Sequence, residues 1–150
     1  MKTYLILFVF ASAFGPGEKL FAGDGGIINE KLILAFNKTF PQAEKVSWQE
    51  INDRYMVHFQ ESNIRVIVNY DRDGNFLNST RYYAADNLPL HLLYKIIKKY
   101  PGKKIFGVTE ITGEESIDYY IKLEDETNWL TIKSDAAGSF ELVEKLKKQE

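Results

Sequence analysis

The sequence predicts an α+β fold: a tandem duplication of a helix plus a four-stranded antiparallel sheet unit, with the helices packed on one sheet face. Three observations predict it: a repeat running through most of the chain, an apolar helical period at the head of each copy, and period-two alternation in the segments that follow. The repeat is plainest where "YDRDGNF", beginning at Tyr70, returns as "SDAAGSF", beginning at Ser134. Upstream, Phe40-Pro41 corresponds to Tyr100-Pro101, and Val46, Trp48 and Glu50 correspond to Phe106, Val108 and Glu110. After a short insertion, Tyr55, Val57 and Phe59 correspond to Tyr119, Ile121 and Leu123. Val66, Val68, Asp71, Gly74 and Phe76 correspond to Leu130, Ile132, Asp135, Gly138 and Phe140.

The first helix is read from Ile28, Leu32, Ala35 and Phe36 at helical spacing, with Asn29 as its N-cap and Pro41 as its stop. The second is read from Leu88, Leu92, Leu93, Ile96 and Ile97, with Asn87 as cap, Pro89 accepted in the first turn and Pro101 ending the helix. Four strands are expected after the first helix, near residues 44–50, 54–60, 64–70 and 75–83, and four after the second, near 104–111, 117–124, 128–134 and 139–146. "DRDGN" and "DAAGS" supply the glycine of a tight turn between the third and fourth strand of each set, and "ESN" and "DETN" close the preceding hairpins.

The aromatic-proline helix ends, the paired helix-and-strands units and the "DRDG" turn, behind an export leader, resemble the PepSY-like, β-lactamase-inhibitor-like proteins exported by Bacteroidetes. The resemblance covers nearly all of the chain after the leader. It implies a sheet flanked by helices, an envelope location and the binding or inhibition of another protein, and it brings no catalytic residues.

That leader is "MKTYLILFVFASAF": Lys2, an apolar run from Tyr4 to Phe10, then small residues at Ala11, Ser12 and Ala13, the layout of a secretory signal peptide. The run is shorter than the roughly 20 residues that a spanning helix needs. Cleavage is placed after Ala13 or after Ala22, so residues 1–22 are read as signal peptide and flexible leader. Residues 23–150 are read as a single domain of two repeats, about 28–84 and 86–148. The expected location is the periplasm or the outside of a bacterial cell. Cutting after Ala22 would move the formal charge from −2 to −3.

Composition narrows the function classes. A hydrophobic content of 45% with 14% aromatics is enough for a packed interior, which argues against disorder. Charges of both signs alternate along the chain without a basic stripe, which argues against a nucleic-acid groove. The absence of cysteine excludes disulfides, thiolate metal sites and a cysteine nucleophile.

Few groups could converge on chemistry, so no catalytic residue, metal or cofactor is expected. His58 falls on a strand and His91 near a helix start, without the partners of a triad or a metal site. Asp71, Asp73 and Asn75 superficially resemble a calcium loop, but the glycine is misplaced and Tyr82 stands where the bidentate acid belongs. The second copy keeps the turn and drops the acids, so turn formation explains them. The sequons at Asn37 and Asn78 fall in a helix and a strand, and Glu50 with Glu110 reads as equivalent strand ends rather than a hydrolytic pair.

The two sheet faces are more informative. Val46, Trp48, Tyr55, Val57, Phe59, Val66 and Val68 share one parity, as do Phe106, Val108, Tyr119, Ile121, Leu123, Leu130 and Ile132, and these are assigned to the helix-covered core. The opposite parity leaves a mixed face on which Met56, His58, Ile67, Tyr120 and Trp129 are the expected partner-binding residues. The expected function is that of an exported, non-enzymatic binding protein for an unidentified envelope or extracellular protein or peptide, an enzyme that it inhibits being one such partner. The alternative is a carrier of a small apolar or envelope-derived ligand held between helices and sheet.

Overall fold

A computed structural model describes residues 28–149, so the expected signal peptide and leader lie outside the described residues. Helix α1 (Glu30–Thr39) starts where Asn29 accepts a 2.9 Å hydrogen bond from the Lys31 amide, and it ends at Phe40, one residue before Pro41. Strands β1 (Glu44–Ile51), β2 (Arg54–Glu61), β3 (Ile64–Tyr70) and β4 (Phe76–Tyr83) follow. A 3₁₀ turn over Ala85–Asn87 leads into α2 (Leu90–Lys99), and then come β5 (Lys104–Thr112), β6 (Ile117–Glu124), β7 (Asn128–Asp135) and β8 (Phe140–Lys147). Each strand lies within one residue of its expected bounds.

The eight strands form a single antiparallel sheet in sequence order, β4 pairing with β5 across the midpoint of the chain. The connections are short turns of the kinds the sequence predicts. Asn52 and Asp53 both adopt positive φ between β1 and β2, the geometry of a type I′ hairpin. Gly74 and Gly138 adopt φ of 87° and 86° in the two repeated turns, where the backbone is left-handed and glycine is strain-free.

Both helices lie on one face, each over its own apolar cluster. Leu32 and Phe36 of α1 pack with Trp48, Val57, Phe59, Val66 and Val68. Leu92 and Ile96 of α2 pack with Val108, Ile121, Leu123, Leu130 and Ile132, joined by Tyr83 and Leu88. Burying each such side chain contributes about 1.5–3 kcal/mol, so the two clusters account for most of the drive to fold.

Three expectations need correction. Asn87 does not cap α2: it sits in the 3₁₀ turn, and Pro89 occupies the N-cap with no side-chain bond. Ala35 and Ile97 face solvent, because the inward stripe of a ten-residue helix is filled by only two fully buried residues. Phe106 is not in the core but 61% exposed, since a bulge between Ile105 and Gly107 inserts a residue, turning Ile105 inward and Phe106 outward.

Candidate binding face

With both helices on one side, the other side of the sheet has no covering layer among the described residues. Strand alternation sends every second residue to that open face, and antiparallel register arranges them in rows. One row runs Gln60, Arg65, Tyr82, Thr109, Tyr120, Lys133 through successive partners on β2 to β7. Within it, the Arg65 guanidinium lies 5.3 Å from the Tyr82 ring centroid, and the Lys133 ammonium 5.7 Å from that of Tyr120. Two tyrosines thus stand at the centre of the sheet with a cation over each. Lys133 is tied by Asp118 at 3.2 Å, and this hydrogen bond raises its pKa and keeps it charged.

A second cluster stands nearer the β5–β6 hairpin's far end. Phe106 meets Trp129 edge to face at 4.9 Å, while Lys122 and Lys148 lie 5.1 and 4.5 Å from the indole centroid. Lys148 also donates to Glu124 at 3.0 Å, fixing it over the ring. The indole is held in place on three sides, so its ordering cost is met before any partner arrives.

The five residues singled out from the sequence all lie on this side, but in separate groups. His58 and Ile67 are cross-strand partners, and the His58 Nε2 lies 3.0 Å from the Met56 sulfur. Together with Lys45, Gln60, Arg65 and Tyr82, His58 and Ile67 border a shallow groove of about 220 Å³. Tyr120 on β6 is three strands away from Ile67 and Trp129 on β7 is four, which is about 14 and 19 Å at ordinary strand spacing. Tyr120 and Trp129 do not touch: Tyr120 pairs with Lys133, and Trp129 with Glu124. The element linking the groups is the Arg65–Tyr82–Thr109–Tyr120–Lys133 row, whose Tyr82 sequence reasoning missed. The signal was available in the alternation of "NSTRYY", where Tyr83 inward requires Tyr82 outward.

The helix side holds a buried charged group. Glu110, 8% exposed, accepts hydrogen bonds from Tyr83 Oη at 2.6 Å and Arg81 Nη1 at 3.1 Å, so the carboxylate is bound across the β4–β5 pairing. Burial first, and the hydrogen bond to Glu110 second, push the Tyr83 phenol far above its ordinary pKa. Glu50, its counterpart by repeat, is exposed on edge strand β1, so the two glutamates lie on strands too far apart to act as a pair. Between the helix-covered clusters a cleft of about 550 Å³ opens over Arg81 and Glu110, walled by Phe40, Tyr70 and Phe76. Asp71, the acid of the calcium-like motif, is occupied by hydrogen bonds from the Asn75 amide and side chain, which lower its pKa. Asn78 accepts a 2.7 Å bond from Asn69, and no group of three or more metal-ligating side chains occurs among the described residues.

Two helices backing one face of an eight-stranded antiparallel sheet place the chain among α+β proteins whose other sheet face is open. The same architecture recurs in solved structures. A BLIP-like protein from Bacteroides fragilis superposes with a TM-score of 0.60 at 17% identity, over 83% of this chain and 89% of that one. A DUF2874 family protein from Bacteroides ovatus gives 0.58 at 16% identity, over 82% and 89%. A Bacteroides eggerthii protein provisionally described as periplasmic gives 0.57 at 15%, over 81% and 90%. No family model matches the chain, and no curated protein matches it. The inhibitor-like resemblance stated from the repeats is therefore borne out in the fold. No described helix is long and apolar enough to cross a membrane.

Proposed function

We propose that the chain is an exported, non-enzymatic binding protein, built by duplication of a helix-and-four-strands unit, which engages a protein or peptide through its open sheet face. The observation that carries this reading is the ordered row of cation-capped tyrosines, continued by the Phe106–Trp129 pair. Aromatic side chains fixed by packing, with charged groups around them, are what binding hot spots consist of. In this reading Tyr120 and Trp129 are the anchors, and Met56, His58 and Ile67 extend the contact across the first half. The lysines and Arg65 select partners that present carboxylates between apolar side chains. Export through residues 1–22 puts such a partner in the envelope or outside the cell, and inhibition of an envelope enzyme is one outcome of covering it.

The test is site-specific photocrosslinking. A photoreactive phenylalanine at Thr109, in the centre of the row, is expected to trap a partner in envelope extract, whereas the same group at Tyr94 on α2 is not. Adducts only from Tyr94 would move the binding surface to the helices.

A second reading has one observation behind it: the 550 Å³ cleft between the helix-covered clusters could hold a small apolar ligand against Phe40, Tyr70 and Phe76. Native mass spectrometry of protein purified from its own cells would show a stoichiometric adduct if the cleft is a carrier site, and the bare protein mass if it is not.

A further inference from the structure

Among the described residues the sheet ends in two free edges, β1 and β8, and the molecule already contains a worked example of how they could pair. At its midpoint β4, the last strand of the first half, meets β5, the first strand of the second, through five residue pairs from Ser79↔Thr112 to Tyr83↔Val108. The junction is keyed by charge: Arg81 pairs with Glu110 at 3.1 Å. The correspondence between the halves carries β4 onto β8 and β5 onto β1. It places Lys145 where Arg81 stands and Glu50 where Glu110 stands. Lys145 and Glu50 are both exposed, and neither has an ion-pair partner among the described residues.

We propose that β8 of one molecule pairs antiparallel with β1 of a second copy of this chain, in the register of the β4–β5 junction, with Lys145 against Glu50. Four residue pairs follow from that register: Glu144 with Ile51, Lys145 with Glu50, Leu146 with Gln49, and Lys147 with Trp48. These fall in the regular parts of both strands. The irregularity of β1 lies before Ser47, and that of β8 lies at Val143, before Glu144. On the open side Leu146, 48% exposed, comes diagonally opposite Ile51, 45% exposed, so each covers apolar surface that the single molecule leaves in water. Unpaired main-chain groups on both edges supply the remaining bonds.

The pairing is head to tail, so each added copy leaves a new β1 at one end and a new β8 at the other, and growth has no built-in stop. It continues the sheet with every open face on the same side, which sets several copies of the proposed binding face in a row for a repetitive partner. The junction is weaker than the internal one. Lys147 replaces Tyr83, so the hydroxyl donor that Glu110 receives has no equivalent for Glu50. Association is therefore expected at high protein concentration and low salt, where an exposed charge pair is least screened.

The experiment uses the exported chain as the cell releases it. Sedimentation velocity across a concentration series should give a mass that rises with concentration. Lys145→Glu and Glu50→Lys should each weaken association several-fold, and the chain carrying both exchanges should regain it, circular dichroism confirming that all are folded. Because the chain has no cysteine, Glu50→Cys and Lys145→Cys variants add a geometric check. A short bis-maleimide should link the two variants when mixed and leave either alone unlinked. A wild-type mass that stays monomeric at millimolar concentration would overturn the proposal. So would a double exchange no better than the singles, or linkage of Glu50→Cys to itself.

Discussion

Where α1 places Phe36 against the sheet, α2 places Ile96; where β1 supplies Trp48, β5 supplies Val108; and Phe59 and Tyr70 are answered by Leu123 and Ser134. The first core is aromatic, with Phe36 within 5.3 Å, centroid to centroid, of Phe40, Trp48 and Phe59, and Trp48 stacked on Tyr70. The second is mainly aliphatic, its buried rings being those of Tyr83 and Tyr119. Compensation runs the other way at the centre of each half, where Val57, Val66 and Val68 are answered by Ile121, Leu130 and Ile132. In the first half rings surround small valines; in the second, larger aliphatic groups at the valine positions fill the space left where the rings are absent. One backbone plan accepts both fillings because what it fixes is the pattern of inward positions and the space to be filled, not the identity of each side chain.

The fourth strands differ as well. β4 is closed in by β5, whereas β8 is exposed along nearly its whole length and rich in lysines and glutamates. The repeated turns also differ in their support. Both keep an amide bond to the aspartate, Asn75 to Asp71 and Ser139 to Asp135; the first adds the Asn75 side chain, while over the second α2 reaches across, with His91 Nε2 donating to Ala136 O at 2.9 Å and Lys95 Nζ to Ala137 O at 2.6 Å. The glycine of the second turn consequently sits beneath the helix: a Cβ at Gly138 would lie 2.8 Å from Lys95 and 3.1 Å from Leu92.

The largest expected effect of breaking this contrast is at the aromatic core. Phe36→Ala, at a site 1% exposed, should cost about 3–5 kcal/mol in a denaturant titration, because three ring neighbours cannot collapse into the space. Transplanting the aromatic solution should fail: Val108→Trp overfills the aliphatic core and should cost about 1–3 kcal/mol, unless the surrounding Ile and Leu residues are reduced with it. At the junction, Glu110→Ala leaves Tyr83 and Arg81 without their acceptor and should cost about 1–3 kcal/mol, whereas the matching Glu50→Ala on the open edge should change stability by less than about 0.5 kcal/mol.

The smallest effects are those of pH. Burial and Glu110 hold the Tyr83 phenol above its ordinary pKa, and burial holds Tyr119 up likewise. The unfolded phenols ionise near pH 10 while the folded ones stay neutral, so this contribution is complete below about pH 10 and declines above it. Carboxylates have the opposite sign. Lys103 holds Asp125 well below the ordinary carboxylate range, and turn hydrogen bonds lower Asp71 and Asp135. Their contribution is present above about pH 4 and is lost as pH falls below it. Thermal melts from pH 2 to 12 check both limbs. Lys103→Ala should move only the acid limb, since the first half has Ala43 at that position and no such pair.

Most of the fold was legible because it rests on spacing. Helix ends at Phe40-Pro41 and Tyr100-Pro101, glycines at positive φ, and period-two strands are all set by residues close together in the chain. What spacing could not show is where a strand gains a residue. Val46 and Phe106 match in the repeat and both strands gain a residue there, yet Val46 stays against the first core while Phe106 turns to the open face, where it supports Trp129. The candidate face was legible only as a parity. Its organisation into a row through Tyr82, Thr109 and Tyr120 depends on strand order and register across β3 to β6, which arise from long-range pairing. Glu110 was recognised as a repeated residue, but its partner Arg81 became apparent only once β4 and β5 were seen to join.

The open face is the central claim, and its most direct measurement is the affinity of the protein for whatever the Thr109 photocrosslink identifies, measured with the wild type and with the Tyr120→Ala/Trp129→Ala variant. The account predicts that the variant remains folded and loses on the order of tenfold or more in affinity. Equal affinity, or an equal loss from alanines at Leu90 and Tyr94 on α2, would contradict it.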